Sequence, residues 1–353
     1  MAVADELRAS GAEVSFLGTR ERIEAELVPA AGYEIDFIKV RGIDRRNPLR
    51  AARAGLEALG AVAAARKVLR RRGADVVMGG GGYVAGPAGL AATLTRMPLV
   101  LTEADSHLGL ANRLLARRAR RVCLAFPLAG REGEPYLVTG RPVPKAVLEG
   151  DRAAARRRFG IAAEARCLLV FGGSQGARSI NLAAIEAFAE QPNAGAPGMR
   201  GQLRERDFHV LHIAGRRDFG ELERRLGAAS SRERYTLLDY EPNLGDSLAA
   251  ADLVVARSGG SIFEVVAAGR PAVLIPYPFA TGDHQTANAE WMRAAGAASV
   301  IPDAELSAER LQSEVAPVLE DSSRLEAMAS AARALAKPDA ARQIADEVLE
   351  AAK

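Results

Sequence analysis

Twice along this chain, short apolar runs of strand length alternate with stretches of helical spacing, and the second series restarts after a proline-bearing break at residues 141–145. In the first series, strand-like runs occupy residues 13–17, 34–38, 74–78, 98–102 and 121–125, with helical spacing over 48–72 and 86–95. The second reads strand CLLVF, a helix over 177–190, strand FHVLHI, a helix over 218–226, strands TLL and DLVVA, a helix over 261–268 and strand AVLIP. Such alternation predicts parallel sheets covered on both faces by helices. With 353 residues the chain is long enough for two cores of ordinary domain size. The reading is therefore α/β, with domains at 1–143 and 144–335 and a terminal helical segment, 336–353, packing back on the first. Residues 191–201 (QPNAGAPGMRG) read as a surface loop.

No apolar run approaches the roughly 20 residues that cross a bilayer, and the opening MAVADELRAS lacks the apolar core of a secretory signal. Cys123 and Cys167 sit in apolar strand-like runs, which reads as buried reduced thiols in the cytoplasm. The net charge of +3 is uneven: residues 1–145 hold 23 Lys+Arg against 15 Asp+Glu, and the remainder 24 against 29. A basic first half suits an anionic membrane surface, a pyrophosphate substrate or nucleic acid. Solvated helix faces in an arginine-rich protein give the same pattern. If the surface is a membrane, Arg45, Arg46, Arg50, Arg70, Arg71 and Arg72 are the residues expected to meet it.

Three strand-to-helix turns are rich in glycine: VVMGGGGYVAGPAGL (76–90), LLVFGGSQGARSIN (168–181) and LVVARSGGSIFEVVAAG (253–269). Ligands of open parallel sheets bind at the carboxyl ends of strands. Glycine there lets the backbone come close, and the N–H groups of the following helix attract phosphate. None is a P-loop, since no Gly-Lys-Ser/Thr follows. Tight packing of helix on strand explains any one such turn; three together favour phosphate binding.

Glu264 follows Ser258-Gly259-Gly260-Ser261 at helical spacing, where a carboxylate can take ribose hydroxyls or simply stabilise a helix N-terminus. After AVLIPYP, the segment FATGDHQTANAEWM crowds Thr281, Asp283, His284, Gln285 and Asn288. That mixture of donors and acceptors suits sugar hydroxyls, although Thr281 or Asp283 also reads as a helix cap. His284 has no metal-spaced partner, so neither a metal nor a cofactor is expected. Glu103, Asp105, Ser106 and His107 form a compact acid–base set after a strand of the first half. His209 and His212 read as sheet-face or core histidines.

Taken together, GGGGYVAGPAGLAA, VLTEADSHLGLANRLLA, VTGRPV, GGSQGARSIN, RSGGSIFEVVAAGRPAVLIPYP and DHQTANA resemble, in order and spacing, the bacterial UDP-GlcNAc:lipid I N-acetylglucosaminyltransferase family. The resemblance covers essentially the whole chain. It implies a GT-B fold, two Rossmann-like doubly wound domains facing a cleft, at the cytoplasmic face of the cell membrane. It also implies inverting transfer of GlcNAc from UDP-GlcNAc to lipid I (undecaprenyl-pyrophosphoryl-MurNAc-pentapeptide), giving lipid II, with no nucleic-acid partner. Carried onto this sequence, Gly173, Ser174 and Gln175 meet the diphosphate. Ser258, Gly259, Gly260, Ser261 and Ile262 hold the nucleotide and phosphates, and Glu264 the ribose. Gln285 with Asn288 takes the GlcNAc hydroxyls, and backbone near Tyr240 and Glu241 frames the uracil.

Three departures from the family pattern bear on activity. The family's opening strand and G-G-T-x-G-H loop, with a histidine often given a catalytic role, have no counterpart here. Its H-E-Q-N reads Thr102-Glu103-Ala104-Asp105, so an acceptor-side Asn is replaced by Asp; with the histidine missing, Asp105, Glu103 and His107 are the candidates for the base. Its G-N-P-V-R reads Gly140-Arg141-Pro142-Val143-Pro144, so Arg141 or Lys145 supplies that charge. The expected consequence is a first domain loosened or rearranged around 13–17 and 74–78, with transfer impaired more than donor binding. The competing readings are a UDP-GlcNAc 2-epimerase-type isomerase, which shares architecture and donor, and a nucleotide-sugar-binding protein that has lost turnover.

Overall fold

The computed structural model describes residues 1–40, 48–173, 176–190, 208–227, 229 and 232–353, with the backbone alone for 48–58 and 281. The expected loop at 191–201 lies outside these residues. Two compact units emerge, one of residues 1–142 with 339–353 and one of residues 143–338.

The first unit runs α1 (Ala2–Ala9), β1 (Ser15–Gly18), α2 (Glu24–Ala30), β2 (Glu34–Phe37), α3 (Pro48–Arg72), β3 (Val77–Gly79), α4 (Gly82–Leu94), β4 (Leu99–Glu103), α5 (Leu110–Leu115), β5 (Arg121–Leu124) and β6 (Tyr136–Val138). The second runs α6 (Lys145–Leu148), α7 (Arg152–Phe159), β7 (Arg166–Phe171), α8 (Arg178–Ile185), β8 (Phe208–Ile213), α9 (Arg216–Gly227), β9 (Tyr235–Leu238), α10 (Leu244–Ala250), β10 (Leu253–Ala256), α11 (Ile262–Ala267), β11 (Ala272–Leu274), α12 (His284–Ala294), β12 (Ala298–Val300), α13 (Ala308–Glu320) and α14 (Ser322–Leu335). The last helix, α15 (Ala340–Ala352), belongs to the first unit. There Ile344, Val348 and Ala351 pack with Val3 and Leu7 of α1 and with Val100 and Cys123 of the sheet.

In the second unit the strands are parallel in the order β12-β11-β10-β7-β8-β9. Strands covered on both faces need apolar side chains in both directions. Leu168, Leu169 and Val170 of β7 and Leu253, Val254 and Val255 of β10 accordingly have no exposed surface. Local chemistry sets the ends of the helices. Asp151 caps α7 by accepting from the Ala154 N–H at 3.0 Å, and Gly160, at φ 69°, closes it in the left-handed conformation.

The first unit is built differently. β1 pairs with β2, and β3-β4-β5-β6 form a second parallel sheet. In the second unit β7 pairs on one side with β8 and on the other with β10. Among the described residues of the first unit no strand joins β1 to β3 in that way, and Met78 in β3 is exposed.

Both cysteines are buried, and loss of solvation pushes their thiols up to about 12.

Candidate functional site

The order of strands in the second unit decides where its glycine turns go. From β7 the chain winds outward to β8 and β9, then returns to place β10 on the other side of β7. The carboxyl ends of β7 and β10 thus form a switch point, where helices leave to opposite faces and a ligand can enter. The turns 172–176 and 257–261 leave from those two ends, so two of the three glycine segments become neighbours.

The first of these turns is tight. A Cβ on Gly172 would stand 2.2 Å from the Ala177 nitrogen, and one on Gly176 would stand 2.3 Å from the Ala214 carbonyl oxygen. Gly173 and Gly176 have φ of 86° and 73°, values that side chains rarely adopt. Beyond the turn, the first N–H groups of α8 lack partners within their own helix, which suits an anion. Ser174 and Gln175 lie outside the described residues.

A buried network holds α8 behind this turn. Asn181 donates to the Ala214 carbonyl (2.8 Å) and to Asp218 Oδ2 (2.9 Å). Its Oδ1 lies 3.0 Å from His212 Nε2, and the other ring nitrogen lies 2.7 Å from the Tyr235 hydroxyl. With the Asn181 amide N–H groups spent, His212 Nε2–H donates to Oδ1 and Nδ1 accepts from Tyr235. Burial lowers the His212 pKa to about 3 and that of His209 to about 4, so both rings stay neutral.

The second turn is stitched to α12. Ser258, fully buried, donates to the Gln285 carbonyl at 2.7 Å, and Asn288 Nδ2 donates to the Ser258 carbonyl at 2.9 Å. The Tyr277 N–H donates to Gln285 Oε1 at 3.0 Å. A Cβ on Gly259 would stand 3.7 Å from Gln285 Nε2, so that amide faces the turn. Gly259, Gly260 and Ser261 carbonyls accept from the N–H groups of Ile262, Phe263 and Glu264. Glu264 occupies the first turn of α11 and is half-buried.

The sequence candidates are therefore placed unequally. Gly173, Ser258, Gly259, Gly260, Ser261, Ile262, Glu264 and Gln285 gather at the ends of adjacent strands. Asn288 is only 3% exposed and ties α12 to the turn, with its Oδ1 buried and unpartnered. Tyr240 and Glu241 follow β9, the edge strand. Tyr240 is exposed beneath the Arg216 guanidinium (5.2 Å), while Glu241 accepts from Arg158 (2.6 Å) and from the Asn243 N–H (2.8 Å). Arg141 belongs to the other unit.

In the first unit, β3 and β4 are adjacent, so the glycine turn before α4 lies beside the segment after β4. Glu103, 7% exposed, accepts from the N–H groups of Asp105 (3.2 Å) and Gly109 (2.8 Å) and from Asn112 Nδ2 (2.9 Å). Its carboxylate closes the 104–109 loop, and Asp105 and His107 stand exposed on it. Sequence reading listed Glu103 as a possible base. What it missed was Asn112, which turns inward from α5 and also donates to the Thr102 carbonyl.

The family model of the glycosyltransferase family 28 N-terminal domain matches residues 1–124, and that of the family 28 C-terminal domain matches residues 167–344. The chain is 40% identical to the UDP-N-acetylglucosamine–N-acetylmuramyl-(pentapeptide) pyrophosphoryl-undecaprenol N-acetylglucosamine transferase of Nitrosococcus oceani, over 100% of this chain and 94% of that one. Identity to the Rubrobacter xylanophilus protein of the same name is 39%, over 99% of each. Its fold is similar to the crystal structure of Acinetobacter baumannii MurG, with TM-score 0.78 and 29% identity, over 99% and 94% of the two chains. The UDP-GlcNAc 2-epimerase of Neisseria meningitidis shares the fold at TM-score 0.67 with 14% identity, over 99% and 95% of the chains.

Proposed function

This chain belongs to the UDP-N-acetylglucosamine–N-acetylmuramyl-(pentapeptide) pyrophosphoryl-undecaprenol N-acetylglucosamine transferases of glycosyltransferase family 28, and from that premise we propose how its site transfers GlcNAc from UDP-GlcNAc to lipid I in peptidoglycan synthesis. The observation that carries the reading is the meeting of turns 172–176 and 257–261 at the switch point, with Glu264 and Gln285 beside them. The diphosphate lies against the two turns, Glu264 takes the ribose hydroxyls, and the Gln285 amide takes a GlcNAc hydroxyl. Backbone N–H groups at the start of α8 and in the 259–261 turn stabilise the charge that develops on the leaving UDP. The acceptor sugar hydroxyl attacks the anomeric carbon from the opposite side, inverting it. Its proton passes to Asp105 or His107, the two exposed acid–base groups of the 104–109 loop; Glu103, held by three donors, orders that loop.

Transfer from labelled UDP-GlcNAc to lipid I tests the reading. A labelled disaccharide lipid and free UDP are expected; ManNAc or UDP-ManNAc would move the chain to the isomerase class, and binding without product to a nucleotide-sugar-binding role. In the same preparation Glu264→Gln is expected to weaken UDP binding by about 1.5–3 kcal/mol, roughly 10- to 150-fold. Calorimetry showing unchanged affinity would return Glu264 to stabilising the helix end.

The acceptor carries a lipid, and the first unit offers a surface for it. Tyr83, Leu90 and Leu94 of α4 and Leu110 and Leu114 of α5 are exposed, at spacings that put each set on one helix face. Arg113, Arg117 and Arg118 are exposed nearby. An apolar stripe flanked by cations lies on an anionic bilayer without spanning it. No described helix is long and apolar enough to cross one. This shifts the expected contact away from Arg71 and Arg72, which are ion-paired with Asp36 and Glu34. Arg70 stays exposed, whereas Arg45 and Arg46, and the Arg50 side chain, are not among the described groups. Replacing Arg113, Arg117 and Arg118 by Gln is expected to cost about 1 kcal/mol each in binding to anionic vesicles, less at high salt. Sedimentation that is indifferent to salt and to lipid charge would refute it.

A further inference from the structure

One side chain in the second unit connects four strand ends and appears in none of the ligand assignments above. Arg257 follows β10 directly, and its side chain is only 12% exposed. Nη1 lies 2.6 Å from Asp303 Oδ1 and 3.2 Å from the carbonyls of both Ile275 and Pro276. Nη2 lies 2.9 Å from Ser179 Oγ, and that hydroxyl donates to Asp303 Oδ1 at 2.8 Å. The guanidinium also sits 5.5 Å from the Tyr277 ring.

The partners come from beyond three other strands. Ser179 is in the first turn of α8, just past turn 172–176. Ile275 and Pro276 lead from β11 into the segment that carries Tyr277 and Gln285, and Asp303 follows β12. A planar guanidinium can hold such a spread of acceptors at once, which an ammonium cannot. Asp303 balances the charge of this largely buried cation from within the protein.

We propose that Arg257 is a positioning residue for the donor, setting the sugar-binding segment at a fixed distance from the two phosphate turns. The chain of contacts is continuous. Arg257 fixes the Ile275 and Pro276 carbonyls; the next residue, Tyr277, donates its N–H to Gln285 Oε1; and Ser258, adjacent to Arg257, donates to the Gln285 carbonyl. Each phosphate turn is also held by its own strand, whereas the Gln285 amide depends on the clamp for its orientation. The sugar should therefore feel the loss of Arg257 more than the nucleotide does. The inference rests on the donor site proposed above.

The test compares UDP affinity with the KM and kcat for UDP-GlcNAc in the full chain carrying Arg257→Met, which fills the space of the stem without the fork. Misplacement of a binding group on this scale costs about tenfold or more in turnover, so KM for UDP-GlcNAc should rise about tenfold, with kcat reduced. UDP affinity should change less than about threefold, because the phosphate turns keep their own anchors. Asp303→Asn should shift KM in the same direction, and the double variant should be little worse than the poorer single one. Equal losses for UDP and UDP-GlcNAc, or tighter UDP binding in Asp303→Asn, would show a cation that contacts phosphate directly and would overturn the proposal. A lower melting temperature with unchanged KM would overturn it as well. If Arg257→Met does not fold, Ser179→Ala, which removes one link, should show the same split at smaller size. Absence of UDP binding in the unsubstituted chain would instead refute the donor site itself.

Discussion

Gly176→Ala should lower UDP affinity by about 100-fold, while Gly173→Ala, three residues earlier in the same turn, should lower it about fivefold. Both glycines have positive φ, 73° and 86°, and a side chain in that region costs on the order of 1–3 kcal/mol. They differ in what a methyl group would meet. At Gly173 it finds nothing within 4 Å, whereas at Gly176 it would stand 2.3 Å from the Ala214 carbonyl oxygen. That carbonyl accepts from Asn181 in the buried network behind α8, so it cannot yield without disturbing His212 and Asp218. The turn would have to lift off the end of β8, carrying the first N–H groups of α8 away from the diphosphate. Adding this displacement to the conformational cost gives about 3 kcal/mol, or roughly two orders of magnitude in affinity. Calorimetry with UDP on the two variants decides the matter. Equal affinities would mean that the close approach at Gly176 does not shape the anion site.

Much of this architecture could be read from periodicity, and the exceptions have physical causes. Apolar runs such as CLLVF and DLVVA sit in strands buried on both faces, so their pattern leaves little choice. β12 escaped notice because ASV is three residues long and follows directly on α12 through Gly296, without a turn cluster. The expected helix at 86–95 begins at Gly82, whose φ of 75° makes the bend from the glycine turn into the helix. The expected single helix over 177–190 passes at Glu186 into a wider turn, whose Ala187 carbonyl accepts from Gln312 of α13, a contact 125 residues away that no local pattern announces. At the site, residue types were legible and their orientation was not. Glu103, Asn112 and Asn288 have the chemistry of ligand groups, but tertiary structure turns each inward to tie loops. For Asn288 a signal existed: Ala289 and Met292 place it on the buried stripe of α12. Arg257 offered none, because an arginine after a strand reads as a solvated end until its four partners arrive from elsewhere.

Removing Asp252 should cost the second unit about 3–5 kcal/mol of stability while leaving UDP affinity of the folded protein unchanged, because stability and binding occupy opposite ends of the same strands. Asp252 precedes β10 and is 8% exposed. Its carboxylate accepts from Arg152 (2.6 Å), from Arg156 (2.8 Å) and from the Cys167 N–H (2.8 Å). Arg156 is itself 4% exposed, and these arginines also serve the end of α10. Arg152 donates to the carbonyl of Ala251 at 2.9 Å, and Arg156 Nε to that of Ala250 at 3.2 Å. Asp252→Ala would leave the buried Arg156 guanidinium facing only neutral carbonyls, those of Ala250, Ala162 and Ala163. Breaking a buried pair from one side is expensive for that reason, even where the intact pair adds little net stability. Against a total of about 5–15 kcal/mol for an ordinary domain, the loss is large enough to move the unfolding midpoint visibly. The phosphate turns leave from the carboxyl ends of β7 and β10, and Asp252 sits at their amino ends, so the folded fraction should keep its donor site. Urea titration of the full chain, followed with and without UDP, separates the two effects. An unfolding free energy within about 0.5 kcal/mol of the unsubstituted protein, the range of an ordinary surface change, would show that backbone carbonyls satisfy Arg152 and Arg156 without the carboxylate.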